Sequence, residues 1–344
     1  MSLKKKILSG LLAVSLIGTT ILTGCSTKDA NSGNTAKASE NDNYPKKAME
    51  FIAPGGAGGG WDLTIRTVSK VLQDTKLSPV PTPVTNRPGG GGSVNLAYMQ
   101  EKKGSDNIIS VYSSPLLLTN LNGTTELSYK DTTPLARLIA DYAVFVVRSD
   151  SKYKTINDVI DALKKDPKSV KIGGASSVGS MDHIQFLMIA KAAGITNLKD
   201  IDYISFQEGV NSQLLGGHID VLSTGLSEVT GLIESGDMRA LAQTADHRVG
   251  TGVLAEIPTC KEQGIDGTFV NWRGLFGPPE MPEYAVKFWA ETIDKMVQTP
   301  EWKKACERNG WDNAYQKADE FTVFLEEVNK GYEEILSEIG MLKK

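Results

Sequence analysis

Apolar positions fall into short runs, separated by longer stretches with helical spacing. Ala48-Met49-Glu50-Phe51-Ile52-Ala53 predicts a strand, and residues 63–72 after it predict a helix. Residues 108–112 predict a short strand, stopped by Ser113-Ser114-Pro115. Tyr142-Ala143-Val144-Phe145-Val146-Val147 is continuous and β-branched, the pattern of a buried parallel strand. Residues 156–165 predict a helix with Thr155 as its cap and Pro167 beyond its end. Residues 170–174 predict a strand, and 181–193 an amphipathic helix ending at Gly194. Strands at 201–204, 219–223 and 240–244 enclose a short helix at 210–215, and 282–297 and 318–342 are mostly helical. Strands alternating with helices predict an α/β fold with a mostly parallel sheet covered on both faces.

Between the first strand and helix lies Pro54-Gly55-Gly56-Ala57-Gly58-Gly59-Gly60-Trp61-Asp62. Glycines let the backbone turn sharply and let a ligand approach bare N–H groups. The helix start behind them carries unpaired donors and a partial positive charge. Such a loop suits an anion. It is not the dinucleotide fingerprint, since counting from Gly56 puts Trp61 where the third glycine belongs. It is not the phosphate loop, since no Gly-Lys-Ser/Thr closes it. A tight turn without ligand is the alternative.

The N-terminus bears on compartment. Lys4-Lys5-Lys6 precedes an apolar stretch at 7–21, short and rich in small residues, which reads as a signal peptide. It ends in Leu22-Thr23-Gly24-Cys25, which resembles the lipobox of bacterial lipoproteins. On that reading residues 1–24 are removed and Cys25 carries lipid, anchoring the protein outside the cytoplasm. Residues 25–43 then form a flexible polar tether. Losing three lysines takes the formal charge from −4 to −7. An acidic body without a basic patch argues against nucleic acid.

The remainder is long enough for two lobes. Cys260 and Cys306 are far apart in sequence and expected to be free, although the compartment permits a bridge. His183, His218 and His247 lack metal-ligand spacing and read as surface or loop residues. No metal and no cofactor are expected.

Four loops at predicted strand ends share small hydroxyls and glycines: 55–62, 112–115, 173–183, and Phe206-Gln207-Glu208-Gly209. Open α/β sheets bind ligands at such ends. Singly, each reads as a turn or cap. A hydrolase would need G-x-S-x-G, and Gly174-Ala175-Ser176-Ser177-Val178 fails at its last position. No catalytic residue is assigned, and an enzyme is not expected.

Several ordered motifs resemble the extracytoplasmic substrate-binding proteins of tripartite tricarboxylate transporters. They are Phe51 through Thr64, Val84-Thr85-Asn86-Arg87-Pro88-Gly89-Gly90-Gly91-Gly92, the loop from Ile172 to His183, and Gln213-Leu214-Leu215-Gly216-Gly217-His218-Ile219-Asp220-Val221. Pro258-Thr259 to Gly264 and Trp272-Arg273-Gly274-Leu275-Phe276-Gly277-Pro278 complete the set. The resemblance implies a type II periplasmic-binding-protein fold with a ligand cleft between two α/β lobes. It places 44–143 and 244–344 in one lobe and 144–243 in the other. It implies a monomer that binds a small carboxylate and delivers it to membrane transporter subunits. A lipoprotein that reports occupancy to a membrane sensor kinase is the alternative.

The family holds carboxylates largely through backbone N–H groups, small hydroxyls and water, which suits ligand loops without arginine. The carried-over ligand-binding residues are Gly56, Gly58, Gly59, Trp61, Asp62, Ser113, Ser114, Ser176, Ser177, Gly179, Ser180, His183, Phe206 and Gln207. A side chain at Gly59 is expected to block backbone approach and to meet a disallowed φ. Trp61 either stacks on a flat ligand or packs at the base of its loop. Its glycine-rich context looks closest to the citrate-type branch, which favours a di- or tricarboxylate. Asp62 orients water, receives an ammonium or caps the helix. Arg66 pairs with Asp62 or faces solvent, the second being preferred. Arg87 is expected to fix its loop.

Overall fold

The computed structural model describes residues 43–206 and 209–343. The signal, Cys25, nearly all of the tether, and Gln207 lie outside them. Among the described residues no helix is long and apolar enough to cross a membrane.

The first elements are β1 (Glu50–Ala53), α1 (Gly60–Asp74), β2 (Val84–Asn86), α2 (Ser93–Glu101), β3 (Ile108–Ser113) and α3 (Pro115–Leu121). In α1, Ile65, Val68 and Leu72 recur at helical spacing and pack against Phe51 and Val111 of the strands. Next come β4 (Thr133–Arg148), α4 (Ile156–Lys165), β5 (Ile172–Gly174), α5 (Met181–Ala192), β6 (Tyr203–Ser205), α6 (Val210–Leu215), β7 (Val221–Gly225), α7 (Leu226–Glu234) and β8 (Met238–Gln243). The chain ends with β9 (Val270–Gly277), α8 (Glu283–Met296), α9 (Pro300–Asn309), β10 (Gln316–Lys317) and α10 (Ala318–Glu338).

One sheet runs through the molecule in the order β2-β1-β3-β9-β4-β7-β5-β6, with β8 and β10 also pairing β4. The long strand β4 is shared. Its residues up to Tyr142 pair with β9, and from Ala143 onward its partners are β7 and β8. The returning chain is strapped to it at this change of partner. Thr244 N donates to Ala143 O at 2.9 Å, and Thr244 Oγ1 accepts from Ala143 N at 2.9 Å.

Three local expectations are corrected. The run 142–147 is antiparallel to β7 and β8, because its apolar continuity reports burial on both faces and not direction. Helix α5 is not amphipathic. It is buried on nearly every side, with Phe186 against Phe145 at 5.4 Å between ring centroids. His183 is therefore a buried helix residue, not a surface or loop one. Several elements escaped the pattern, namely β2, α2, α3, α7, β9, α9, β10 and the first half of β4. Strand β9 carries Arg273, Gly274 and Gly277, which break a β signal, and α9 buries only Trp302, Ala305 and Cys306. Both cysteines of the described residues are free and buried.

Candidate functional site

A cavity of about 690 Å³ lies where β1, β3, β5 and β7 end. The glycine loop 54–61, the segment 88–92, Ser113 and Pro115 line it beside Asn271 and Arg273 of β9. Ala175, Ser176, Ser177, Ser180, Met181 and Asp182 line it from the other half of the sheet, with Gly209, Val210, Asn211, Thr224 and Glu228.

Helices α1, α5 and α7 all begin at this cavity. Their N-cap residues, Gly59, Ser180 and Gly225, make no side-chain cap hydrogen bond. Away from the cavity, α4 and α9 are capped by Thr155 and Thr299, whereas α8 has no side-chain cap at Pro282. The positive ends of three helix dipoles thus meet at one place, with the Asp182 N–H of α5 taken by Ser176 Oγ at 2.7 Å and the Ser227 N–H of α7 by Asp141.

Asp62 organises the glycine loop without lining the cavity. Its Oδ2 accepts from Gly58 N at 2.9 Å. Its Oδ1 accepts from Arg66 Nε at 2.7 Å and from Asn86 Nδ2 at 2.8 Å. Burial raises the Asp62 carboxyl, but Arg66 and these donors outweigh it and hold the pKa below the ordinary value. Arg66 therefore pairs with Asp62, against the solvent-facing expectation. Arg87 stacks on the Tyr98 ring at 3.7 Å, beside the segment 88–92. Trp61 donates Nε1–H to Ser113 Oγ at 2.9 Å and meets Tyr112 edge-on at 6.1 Å between centroids.

Gly56, Gly58, Gly59, Trp61, Ser113, Ser176, Ser177 and Ser180 line the cavity. Four other carried-over residues do not. Ser114 is fully buried with its Oγ 2.7 Å from Tyr332 OH. Gly179 N donates to His183 Nδ1 at 3.0 Å, and the His183 ring lies over Tyr203 at 4.6 Å. Burial pulls the His183 pKa down to about 4, so the ring is neutral. Phe206 packs against the apolar cluster of β7 and α7. Ser176 lines the cavity, but its Oγ already accepts from Asp182 N at 2.7 Å, while its own N donates to Asp182 Oδ2 at 2.9 Å.

A charged group that the motifs did not assign lies at the cavity wall. Arg273 is 1% exposed. Its Nη2 donates to Asp141 Oδ2 at 2.7 Å, and its Nη1 to Thr64 Oγ1 at 2.8 Å. Glu228 Oε1 lies 3.6 Å from the same Nη2. Asp141 also accepts from Ser227 Oγ at 2.9 Å. Burial raises the Asp141 carboxyl despite the adjacent guanidinium. Burial also pushes Asp182 up to about 6. Gly60 makes room for this group, because a Cβ there would stand 2.2 Å from Arg273 Nη2 and 2.6 Å from Glu228 Oε1. A signal did exist: Arg273 interrupts an apolar strand, and Asp141 stands just before another. Charges inside such runs are rarely buried without a partner.

Residues 66–341 match the model of the tripartite tricarboxylate transporter family receptor. A UPF0065 protein from the tcbD–tcbE intergenic region of Pseudomonas sp. strain P51 is 24% identical over 281 residues, covering 80% of this chain and 82% of that one. Among solved structures, MatC of Rhodopseudomonas palustris with bound malate is 17% identical with a TM-score of 0.71, covering 86% of this chain and 99% of that one. Rpa4515 of R. palustris with adipate is also 17% identical, with a TM-score of 0.77, covering 87% of this chain and 99% of that one. The periplasmic binding protein BugD, 20% identical with a TM-score of 0.75 over 88% of this chain and 100% of that one, shares the fold, which is that of the periplasmic binding proteins.

Proposed function

Since the chain belongs to the tripartite tricarboxylate transporter receptor family, we propose that it captures a small carboxylate outside the cytoplasm and delivers it to membrane transporter subunits. The observation that carries this reading is the meeting of three helix starts, α1, α5 and α7, at one cavity. Donors and dipoles so arranged favour an anion without a cation dedicated to it. The malate and adipate held by the two solved relatives are carboxylates, which supports the same ligand class.

Di- and tricarboxylates such as citrate are the favoured ligands. The lobes 44–143 with 244–344, and 144–243, close on the ligand about the shared strand β4 and the returning chain at Thr244. The ligand contacts proposed are the cavity-lining glycines and serines of the two facing loops, with Trp61 beside them. Lipid on Cys25 holds the monomeric protein at the membrane.

A thermal-shift screen of mono-, di- and tricarboxylates tests the reading. A ligand that binds only the folded state raises the melting temperature, with about 2.7 kcal/mol of added stability at a hundredfold excess over its dissociation constant. Failure of every carboxylate to do so would discard it.

A further inference from the structure

Glu228 stands on the first turn of α7 and lines the cavity with its side chain 22% exposed. Thr224 Oγ1 donates to its Oε2 at 3.2 Å. From β9, Arg273 approaches its Oε1 only to 3.6 Å, because that guanidinium is already committed to Asp141 at 2.7 Å. From β4 and α5, Asp141 and Asp182 add negative charge. On the α1 side Gly60 presents no side chain at all, and Gly225 leaves similar room before α7.

Among the described residues, the ionisable ones lining the cavity are thus Asp182, Glu228 and Arg273. Arg273 is committed to Asp141 at 2.7 Å and reaches Glu228 only at 3.6 Å, so one guanidinium stands against the carboxyl groups of Asp141, Glu228 and Asp182. Arg66 does not correct the balance, being bound to Asp62. A carboxylate ligand entering this space meets like charge at short range, and two carboxylates cannot share such a site fully ionised.

We infer that Glu228 holds the ligand as a carboxylic acid, donating its O–H to a ligand carboxylate, so that binding takes up a proton from solvent. This deepens the carboxylate reading above and rests on it. The balance is simple. A solvent proton joins the Glu228 carboxylate, one hydrogen bond forms to the ligand, and no covalent bond of the ligand changes. Burial has already raised Glu228 to about 7, with Arg273 opposing and Asp182 and Asp141 assisting. A second anion raises it further. Glutamine reproduces the acid form, since it is neutral and carries a donor.

The test is calorimetric titration of the purified protein with citrate and with succinate at about pH 8, in two buffers of different ionisation enthalpy. About one proton should be taken up per ligand, and affinity should fall about tenfold per pH unit above that point. Glu228→Gln should bind with little proton uptake and with affinity nearly independent of pH. Wild-type binding without proton uptake overturns the inference and leaves the carboxylate reading standing. A folded Glu228→Gln that does not bind, or that still takes up the proton, also overturns it. If neither these two ligands nor any carboxylate of the thermal-shift screen binds, both readings fall together.

Discussion

Arg273 and Asp141 are 132 residues apart in sequence and 2.7 Å apart in the fold. They join β9 to the point of β4 where that strand changes partners, and neither side chain is exposed by more than 1%. Asp141→Ala leaves the guanidinium buried without its carboxylate. The expected loss of stability is about 3–5 kcal/mol, and the double change Asp141→Leu with Arg273→Met should lose less. Urea unfolding of the single and double variants measures the difference.

Gly60 and Gly56 should respond differently to alanine. At Gly56 an added Cβ meets nothing within 4 Å, whereas at Gly60 it would reach Arg273 Nη2 at 2.2 Å. Helix propensity alone would favour Gly60→Ala by about 1 kcal/mol. The clash should reverse that sign and weaken ligand binding at least tenfold, while Gly56→Ala leaves stability nearly unchanged. Gly59 has a φ of −77°, so the disallowed backbone expected there is absent. Its added Cβ would come no nearer than 3.4 Å to Gly56 O. Any affinity lost in Gly59→Ala then reports contact with ligand, and parallel titrations of the three variants decide it.

Asp62 ties the glycine loop to α1 and β2 through Gly58, Arg66 and Asn86. Asp62→Ala should cost about 1–3 kcal/mol of stability and weaken binding through a loosened loop. The pH dependence has a definite sign. The folded-state pKa lies below the ordinary value, so the stabilisation is complete above the unfolded-state pKa. It is lost as pH falls through the folded-state value. The stability gap between wild type and Asp62→Asn should therefore narrow below about pH 4. A gap that stays constant from neutral to acid pH would show that the charge of Asp62 contributes nothing.

Trp61 is the tryptophan at the cavity, while Trp272, Trp289, Trp302 and Trp311 are buried in the apolar clusters or beside them. Ligand binding should change the intrinsic fluorescence, and Trp61→Phe should abolish that change. The same variant loses the hydrogen bond to Ser113 Oγ. A stability loss of about 1 kcal/mol is expected. A fluorescence response that survives in Trp61→Phe would assign it to movement around a buried tryptophan.

Cys260 and Cys306 belong to different apolar clusters, and burial pushes both thiols up to about 12. Thiolate is the reactive form, so both should resist a disulfide reagent until the protein is unfolded. Two thiols should titrate in denaturant without reductant if Cys25 is absent or lipidated. Rapid labelling of either in the native state would contradict the burial.

The chain's local order was legible from residues close together. The strand, glycine loop and helix around Gly55 to Asp62 follow from spacing and backbone freedom over a dozen positions, and both are local properties. The helix 156–165 was readable for the same reason, since Thr155 caps it three residues away at Asp158 N. Strand direction was not legible, because the apolar run at 142–147 looks alike whichever way its neighbours point. Nor was the partnership of Thr64, Asp141, Glu228 and Arg273, which four separate elements bring together. Hydrophobic periodicity records which face a residue turns inward, whereas a buried charge is tolerated only by a specific partner. That partner's position is a property of the folded sheet, where β4 and β9 lie side by side and set Asp141 against Arg273.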